Sequence, residues 1–246
     1  MRARSLAPMM ALALGCSSTG GASGDGRVFV PETVPANLQE GEQGVSLKLV
    51  AFTLVQGTKG PEFYAAVKND GAVPSCDAGM MTELFDEGGN SLAMVGSALR
   101  GKQLYRLGTD TLLDCLDPGE IGMAASTGFA PDVTVSSVAA LKYRFPTFEV
   151  DGIEALKGIT FDAIRPVAAG GGTGFQGTLR NDSTVAVRNP NALVFALNRV
   201  GRPLGAGFAS ATRDLAPGDT WAFETSAVAE AGVDAAAFVS LSIAAY

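Results

Sequence analysis

Histidine is absent from this sequence of 246 residues. The absence removes the commonest general base near neutral pH and the commonest nitrogen ligand for zinc, copper and iron. Serine nucleophiles lose their usual activating partner as well, and no serine is followed by a lysine three positions later, the spacing of a Ser-Lys arrangement. The sequence therefore predicts a protein that is not an enzyme and that binds no cofactor or metal.

Charged residues are also few, and positive charge is the scarcer sign. They make up 17% of the chain, with 18 lysines and arginines against 25 aspartates and glutamates, which gives a net charge of -7. Because an acidic surface repels phosphates, we expect neither nucleic acid nor anionic lipid headgroups as partners. Glycine and proline, by contrast, are frequent, with 31 and 12 residues. This composition is typical of many short strands joined by turns, and it predicts an all-β fold.

The apolar run near the start of the chain is too short to span a bilayer. In residues 1–15, two arginines precede a run of about ten mostly apolar residues, which is the form of an export signal. The run leads into "ALGC" (13–16), which resembles the lipobox of bacterial lipoproteins, where the cysteine is lipidated and becomes the new N-terminus. The resemblance implies that residues 1–15 are a lipoprotein signal peptide and that Cys16 is the lipidation site.

The residue after this cysteine bears on location. By the same resemblance, Ser17 implies sorting to an outer membrane. We therefore expect a protein of the cell envelope that contacts the membrane through its lipid anchor, on the periplasmic or the surface face. The alternative is an ordinary secretory signal with an incidental cysteine.

Residues 16–44 contain little that packs into a core. They include "SSTGGASGDG" (17–26), and Gly- and Ser-rich segments of this kind behave as flexible coils. A coil of this length reaches about 30 Å, enough to hold a folded body clear of a membrane. We expect a flexible N-terminal tether over 16–44, in which Val28 and its neighbours could dock locally.

Cysteine is scarce, with three residues in the chain. If Cys16 carries lipid, Cys76 and Cys115 remain as one pair in an oxidising compartment, which favours a disulfide between them. The alternative is a pair of buried free thiols.

One sequence segment occurs twice in similar form. "FYAAVKNDG" (63–71) and "FQGTLRNDS" (175–183) align at an offset of 112, and this offset holds without a gap over 63–92. The offset then falls to 99 at the two Pro-Gly turns and is 100 for the last strands, so the first copy carries 13 extra residues within 93–116. Since a unit of about 100 residues is the size of a β-sandwich, we predict two domains, 45–149 and 152–246.

The repeated motifs resemble a known family. "FYAAVKND", "LFDEGGNSL" and "LDPGE" of the first copy are similar to the FxLYD-type domain of bacterial envelope proteins, and the second copy keeps this frame. It departs from the pattern at Asn198, which matches Asp86, and at Leu197, which is not aromatic. The resemblance implies two tandem immunoglobulin-like β-sandwiches outside the cytoplasm, with no catalytic residues to transfer.

Three further patterns suggest binding sites. The run "AAGGGTG" (168–174) lacks the Gly-Lys-Ser/Thr ending of a phosphate-binding loop, which favours a plain loop between strands. Four acids suggest calcium but lack the spacing of a dedicated loop, namely Asp110, Asp114, Asp117 and Glu120. The aromatic candidates for stacking on a sugar are Tyr64, Tyr105, Phe208 and Trp221. Tyr105 is the preferred ligand-binding candidate because it lies in the region unique to the first copy, whereas Trp221 fits a packing role better.

These features favour a non-enzymatic envelope lipoprotein that acts as a structural or protein-interaction module, with other envelope proteins as partners. The alternative is a module that binds glycan or another ligand. A third hypothesis, a hydrolase that uses two carboxylates, has no supporting spacing in the sequence.

The lipid anchor is directly testable. We expect Cys16→Ser to abolish labelling with radioactive palmitate, because no thiol remains to carry the lipid, whereas Ser17→Ala should keep the label. Globomycin, which blocks the lipoprotein signal peptidase, should cause the wild-type precursor to accumulate. Normal maturation in the presence of globomycin would contradict lipidation at Cys16.

Overall fold

The computed structural model describes residues 27–28, 33–108, 111–127, 129–170, 172–198, 201–228 and 236–242. These residues form 18 strands and one 3-10 helix, Val135–Ser137, which confirms the predicted all-β class. The strands are β1 Arg27–Val28, β2 Thr33–Glu40, β3 Leu47–Gly57, β4 Gly60–Asn69, β5 Ser75–Cys76, β6 Gly79–Phe85, β7 Ser91–Arg100, β8 Gln103–Leu107, β9 Thr111–Leu116, β10 Ile121–Ser126, β11 Ala140–Pro146, β12 Ile153–Ala155, β13 Ile159–Ala169, β14 Gly172–Asn181, β15 Asn191–Leu197, β16 Pro203–Ser210, β17 Thr220–Glu224 and β18 Ala236–Ser242. Across these ranges the structure contains no helix with the length and apolar character needed to cross a bilayer.

The strand bounds repeat as the sequence does. Strands β13, β14, β15 and β16 each begin 112 residues after β3, β4, β6 and β7, and β17 begins 99 residues after β10. Each copy contains two antiparallel three-stranded sheets in the same order: β3-β4-β10 and β7-β6-β11 in the first copy, β13-β14-β17 and β16-β15-β18 in the second. The chain is therefore a duplicated, sandwich-like unit.

The first copy has two additions to this frame. Strand β10 also pairs with β7, which joins the two sheets of this copy into one sheet of eight strands. The extra residues of the first copy form the β8–β9 hairpin, which pairs with β5 on one side and with β12 on the other. This hairpin thus connects the first copy to the segment that leads into the second.

Each copy has its own apolar core. The first core includes Leu54, Phe63, Met80, Leu84, Leu141 and Phe145. The second core includes Phe175, Ala192, Val194, Ala196 and Phe223. Phe63 and Phe175 are equivalent in the repeat, and both are fully buried. Burying a large apolar side chain contributes about 1.5 to 3 kcal/mol, so these equivalent inward positions stabilise both units.

The predicted offset of 100 for the last strands is wrong. Leu141 of β11 pairs with Leu84, and Ala237 of β18 pairs with Ala196. Because Leu84 and Ala196 are equivalent at an offset of 112, the pairing makes Leu141 and Ala237 equivalent at an offset of 96. A shift of four residues leaves the period of two along a strand unchanged, so the apolar pattern alone cannot distinguish the two alignments.

The predicted tether over 16–44 differs from the structure at 33–40. Strand β2 pairs in parallel with β11 and so covers an edge of the sheet, while β1 pairs with β3. The end of β2 is held by Thr147, whose N–H and hydroxyl both donate to the Glu40 carbonyl oxygen, at 2.9 and 2.8 Å. An uncovered edge presents unpaired backbone groups, and this pairing satisfies them. Residues 1–26, with the predicted signal peptide and Cys16, lie outside the described residues.

A fully buried asparagine ends β4 and β14, the second strand of the frame in each copy. The Asn69 amide donates to the Val73 and Leu116 carbonyl oxygens at 2.8 and 2.9 Å, and its Oδ1 accepts from the Gly71 N–H at 2.9 Å. We call this arrangement the asparagine corner. It closes the turn after β4 and ties that turn to the end of β9.

The second copy repeats the corner. The Asn181 amide donates to the Val185 and Leu215 carbonyl oxygens at 2.9 and 2.8 Å, and its Oδ1 accepts from the Ser183 N–H at 3.1 Å. Backbone bonds then attach each corner to the Pro-Gly turn that follows. The Gly119 N–H donates to the Asn69 carbonyl oxygen at 2.7 Å, and the Gly218 N–H donates to that of Asn181 at 2.6 Å. The repeated segment that ends in the asparagine and the Pro-Gly turn that follows it are therefore in contact in both copies.

We predict that Asn69→Ala and Asn181→Ala each lower the free energy of unfolding by roughly 2 to 4 kcal/mol, since each leaves buried carbonyl and N–H groups without partners. Asn90→Ala, at an exposed hairpin tip, is the control and should cost less than about 1 kcal/mol. Urea denaturation followed by circular dichroism measures all three. Losses at the two corners no larger than the control's would refute the structural role of the buried amides.

Candidate functional site

The two copies pack against each other through the outer face of β4. This strand is buried on both faces: Phe63, Ala65 and Val67 point into the first core, while Tyr64 and Ala66 face the second copy. Across the contact lies Phe195 of β15, which is fully buried against Tyr64, Ala66 and Met123. The continuous apolar run of β4 is thus explained by two different partners.

The β8–β9 hairpin makes a second contact between the copies. Leu104 of the hairpin packs with Leu179 and Leu215 of the second copy. The connecting segment is held to the hairpin at Leu156, whose N–H donates to the Leu104 carbonyl oxygen at 2.8 Å and whose carbonyl oxygen accepts from the Gln103 side chain at 2.7 Å. The extra residues of the first copy therefore serve as a bridge.

Cys76 and Cys115 form the predicted disulfide. They lie opposite each other on β5 and β9, with their Cα atoms 4.1 Å apart, and both are buried. The bond fixes the base of the bridging hairpin to the first copy.

A cleft of about 570 Å³ opens between the copies beside the β4 contact. The first copy contributes the β3–β4 hairpin and the start of β4, and the second contributes β15, β16 and the segment after β17. The larger and polar residues that line it include Gln56, Glu62, Tyr64, Leu193, Phe208 and Ser226. Neither copy forms this cleft alone.

One carboxylate on the cleft wall has a fixed position. The Tyr64 hydroxyl donates to Glu62 Oε2 at 2.7 Å, and Tyr64 is itself buried. The Glu62 side chain lies over Gly57, where a built Cβ would collide with the carboxylate. Glycine at position 57 therefore leaves the room that this carboxylate occupies.

The nearby amide and aromatic side chains are also held. Gln56 Oε1 accepts from the Val135 N–H at 2.9 Å. Phe208 is 49% exposed, and its backbone is clamped by Ser226: the Phe208 N–H donates to Ser226 Oγ at 3.1 Å, and the Ser226 N–H donates to the Phe208 carbonyl oxygen at 2.9 Å. A flat apolar ring and an oriented carboxylate, that of Glu62, thus line one cleft.

Three of the acids that suggest calcium have protein partners. Asp114 lies 3.2 Å from the Arg100 guanidinium through both oxygens; burial raises the pKa of its carboxyl, although Arg100 opposes the shift. Glu120 accepts from the N–H groups of Asp117 and Lys102, and burial raises its pKa. Asp110 lies outside the described residues. In the part of the chain that the structure describes, no three acidic, histidine or cysteine side chains group as metal ligands would.

Tyr105 lies on β8, away from the residues that line the cleft. Its hydroxyl donates to Asp117 Oδ1 at 2.6 Å, and burial together with this bond raises the pKa of Tyr105 to about 12. Its role as a ligand-binding residue stays a prediction. Trp221 is half-buried and packs 5.3 Å from the Phe223 ring, in line with the expected packing role. Phe208 is thus the most exposed of the four aromatic candidates.

The glycine run lies in a hairpin. Strand β13 ends at Ala169 and β14 begins at Gly172, so the run turns the chain between two paired strands. A strand, β14, follows it, as the loop interpretation requires.

Sequence reasoning missed Gln56, Gly57 and Glu62. They lie at the β3–β4 hairpin, which lines a cleft only because the second copy packs opposite it. No residue spacing along the chain predicts that packing. The continuous apolar run that follows Glu62, at 63–67, was the one available signal in the sequence.

No protein-family model matches the chain, and no curated protein matches it significantly. The FxLYD resemblance therefore stays a prediction that rests on the quoted motifs.

We predict that the double variant Cys76→Ala/Cys115→Ala has a free energy of unfolding lower by about 4 kcal/mol, because the bond closes a loop of roughly 40 residues. Ser75→Ala is the control: this neighbouring side chain is also buried, but its hydroxyl has no hydrogen-bond partner among the described residues, so its loss should cost little. Denaturant unfolding compares them. An unchanged midpoint in the double variant, or alkylation of Cys76 without prior reduction, would contradict the prediction.

Proposed function

We propose that this chain is a non-enzymatic lipoprotein of the outer membrane, anchored through lipid on Cys16. Its two sandwich units, immunoglobulin-like and similar to FxLYD domains, act as a structural or protein-interaction module of the cell envelope. The observation that carries the proposal is the packing of two copies of one unit into a paired body, joined by the β4 contact and the bridging hairpin.

The chemistry of the side chains supports a binding role. The sequence has no histidine, and three of its clustered acids are engaged by Arg100, Tyr105 and backbone N–H groups. A buried disulfide suits an exported protein, because disulfides persist in oxidising compartments.

One face of the first copy suits a protein partner. Met94 of β7 is 61% exposed beside a groove of about 230 Å³ on the outer side of β6, β7 and β11. Met81 lines the same groove, with Glu83, Lys142 and Arg144 around it. Methionine adapts to irregular apolar surfaces, and charges of both signs at a rim add specificity. We call this the methionine face.

In-cell photo-crosslinking tests the interaction role. A photoreactive amino acid in place of Met94 should give discrete crosslinked products with envelope proteins. The same amino acid in place of Val50, which is 52% exposed on another face, is the control and should give few. Crosslinks at Val50 but not at Met94, or none at either position, would argue against the methionine face as the docking surface.

A second candidate function is the binding of a ligand. The cleft between the copies favours it, because it combines an exposed aromatic ring with an oriented carboxylate.

A further inference from the structure

We infer that the cleft between the two copies binds an uncharged saccharide. The inference rests on the second candidate function and names the ligand class and the residues that recognise it. The volume of about 570 Å³ lies within the range of small-molecule sites, about 300 to 1,000 Å³, which leaves room for a short oligosaccharide.

The aromatic ring of Phe208 supplies the apolar surface. One face of a pyranose ring carries mainly C–H groups, and such a face packs against a flat aromatic ring. Phe208 stays 49% exposed although the two residues beside it on β16, Gly207 and Ala209, are buried. Its backbone is fixed by Ser226, so stacking a sugar on the ring does not require the strand to become ordered.

A carboxylate on the wall that the first copy contributes matches sugar hydroxyls. The Glu62 carboxylate is an acceptor for hydroxyl groups, and its bond from Tyr64 holds it in one orientation. Hydrogen bonds to a charged acceptor are stronger than neutral ones. The Gln56 amide supports the hairpin that carries this carboxylate: its Oε1 accepts from the Val135 N–H at 2.9 Å and its Nε2 donates to the Gly57 carbonyl oxygen at 3.3 Å.

The charge of the cleft selects against anions. Glu62 is the one charged residue among the described residues that line it, and neither lysine nor arginine is present. A phosphate, sulfate or uronic acid would therefore meet a negative charge without a compensating cation. Neutral and N-acetylated saccharides remain as the matching class.

The test uses the full chain, purified in detergent, on an array of neutral, N-acetylated and acidic glycans. The strongest ligand is then titrated by isothermal calorimetry. We expect binding to neutral or N-acetylated saccharides, with affinity weakened about ten-fold by Phe208→Ala, the size of a lost aromatic contact. Phe148→Ala is the matched control, since Phe148 is 55% exposed and lies outside the cleft, and it should bind within about two-fold of wild type.

Two further variants separate recognition from folding. Phe208→Leu keeps apolar volume but not the flat ring, and Glu62→Gln keeps an acceptor for Tyr64 but not the charge. Both should weaken binding while the thermal midpoint stays at the wild-type value. Absence of binding to any glycan, binding to acidic glycans alone, or equal effects of Phe208→Ala and Phe148→Ala would each overturn the inference. Crosslinks at Met94 without glycan binding would remove this inference and leave the protein-interaction role standing.

Discussion

A buried side-chain amide at the end of the second frame strand organises each copy of this protein. Because it is shielded from water, the asparagine must find all its partners within the chain, and an unpaired buried polar group costs about 1 to 3 kcal/mol. Its three side-chain bonds join the turn after the strand to the segment before the Pro-Gly turn. The backbone carbonyl oxygen of the same asparagine accepts from the Pro-Gly turn itself. The strands that form the two sheets are placed by these junctions, and the outer face of β4 is thereby presented to the second copy.

The copies differ where they meet and at their edges, while the buried frame is shared. The first copy has the bridging hairpin with its disulfide, and strands β1 and β2 cover its sheet edges. In the second copy, Pro166 is equivalent to Leu54, the residue that pairs with β1 in the first copy, and proline has no N–H to donate to an added strand. Ala163, three residues earlier on the same strand, adopts a positive φ at a bulge. The two similar but unequal copies form a paired body with a cleft that a single unit lacks.

Much of this architecture follows from sequence patterns that are local. The repeat could be recognised from the turn residues after Asn69 and Asn181 and from the two Pro-Gly turns. The disulfide could be predicted from the number of cysteines. Features that depend on distant strands could not be predicted from the sequence. The parallel addition of β2, the register of β18 and the two-sided burial of β4 each require knowing which strand lies alongside, and the period of two in a strand carries no such information. The cleft escaped prediction for the same reason.

Native-state hydrogen exchange tests the central claim most directly, because it reports the stability of each corner separately. The account predicts that the amides of Asn69, Gly119, Asn181 and Gly218 exchange as slowly as the central amides of β4 and β14, through global unfolding alone. Exchange within minutes at either corner, while the core strands stay protected, would contradict it.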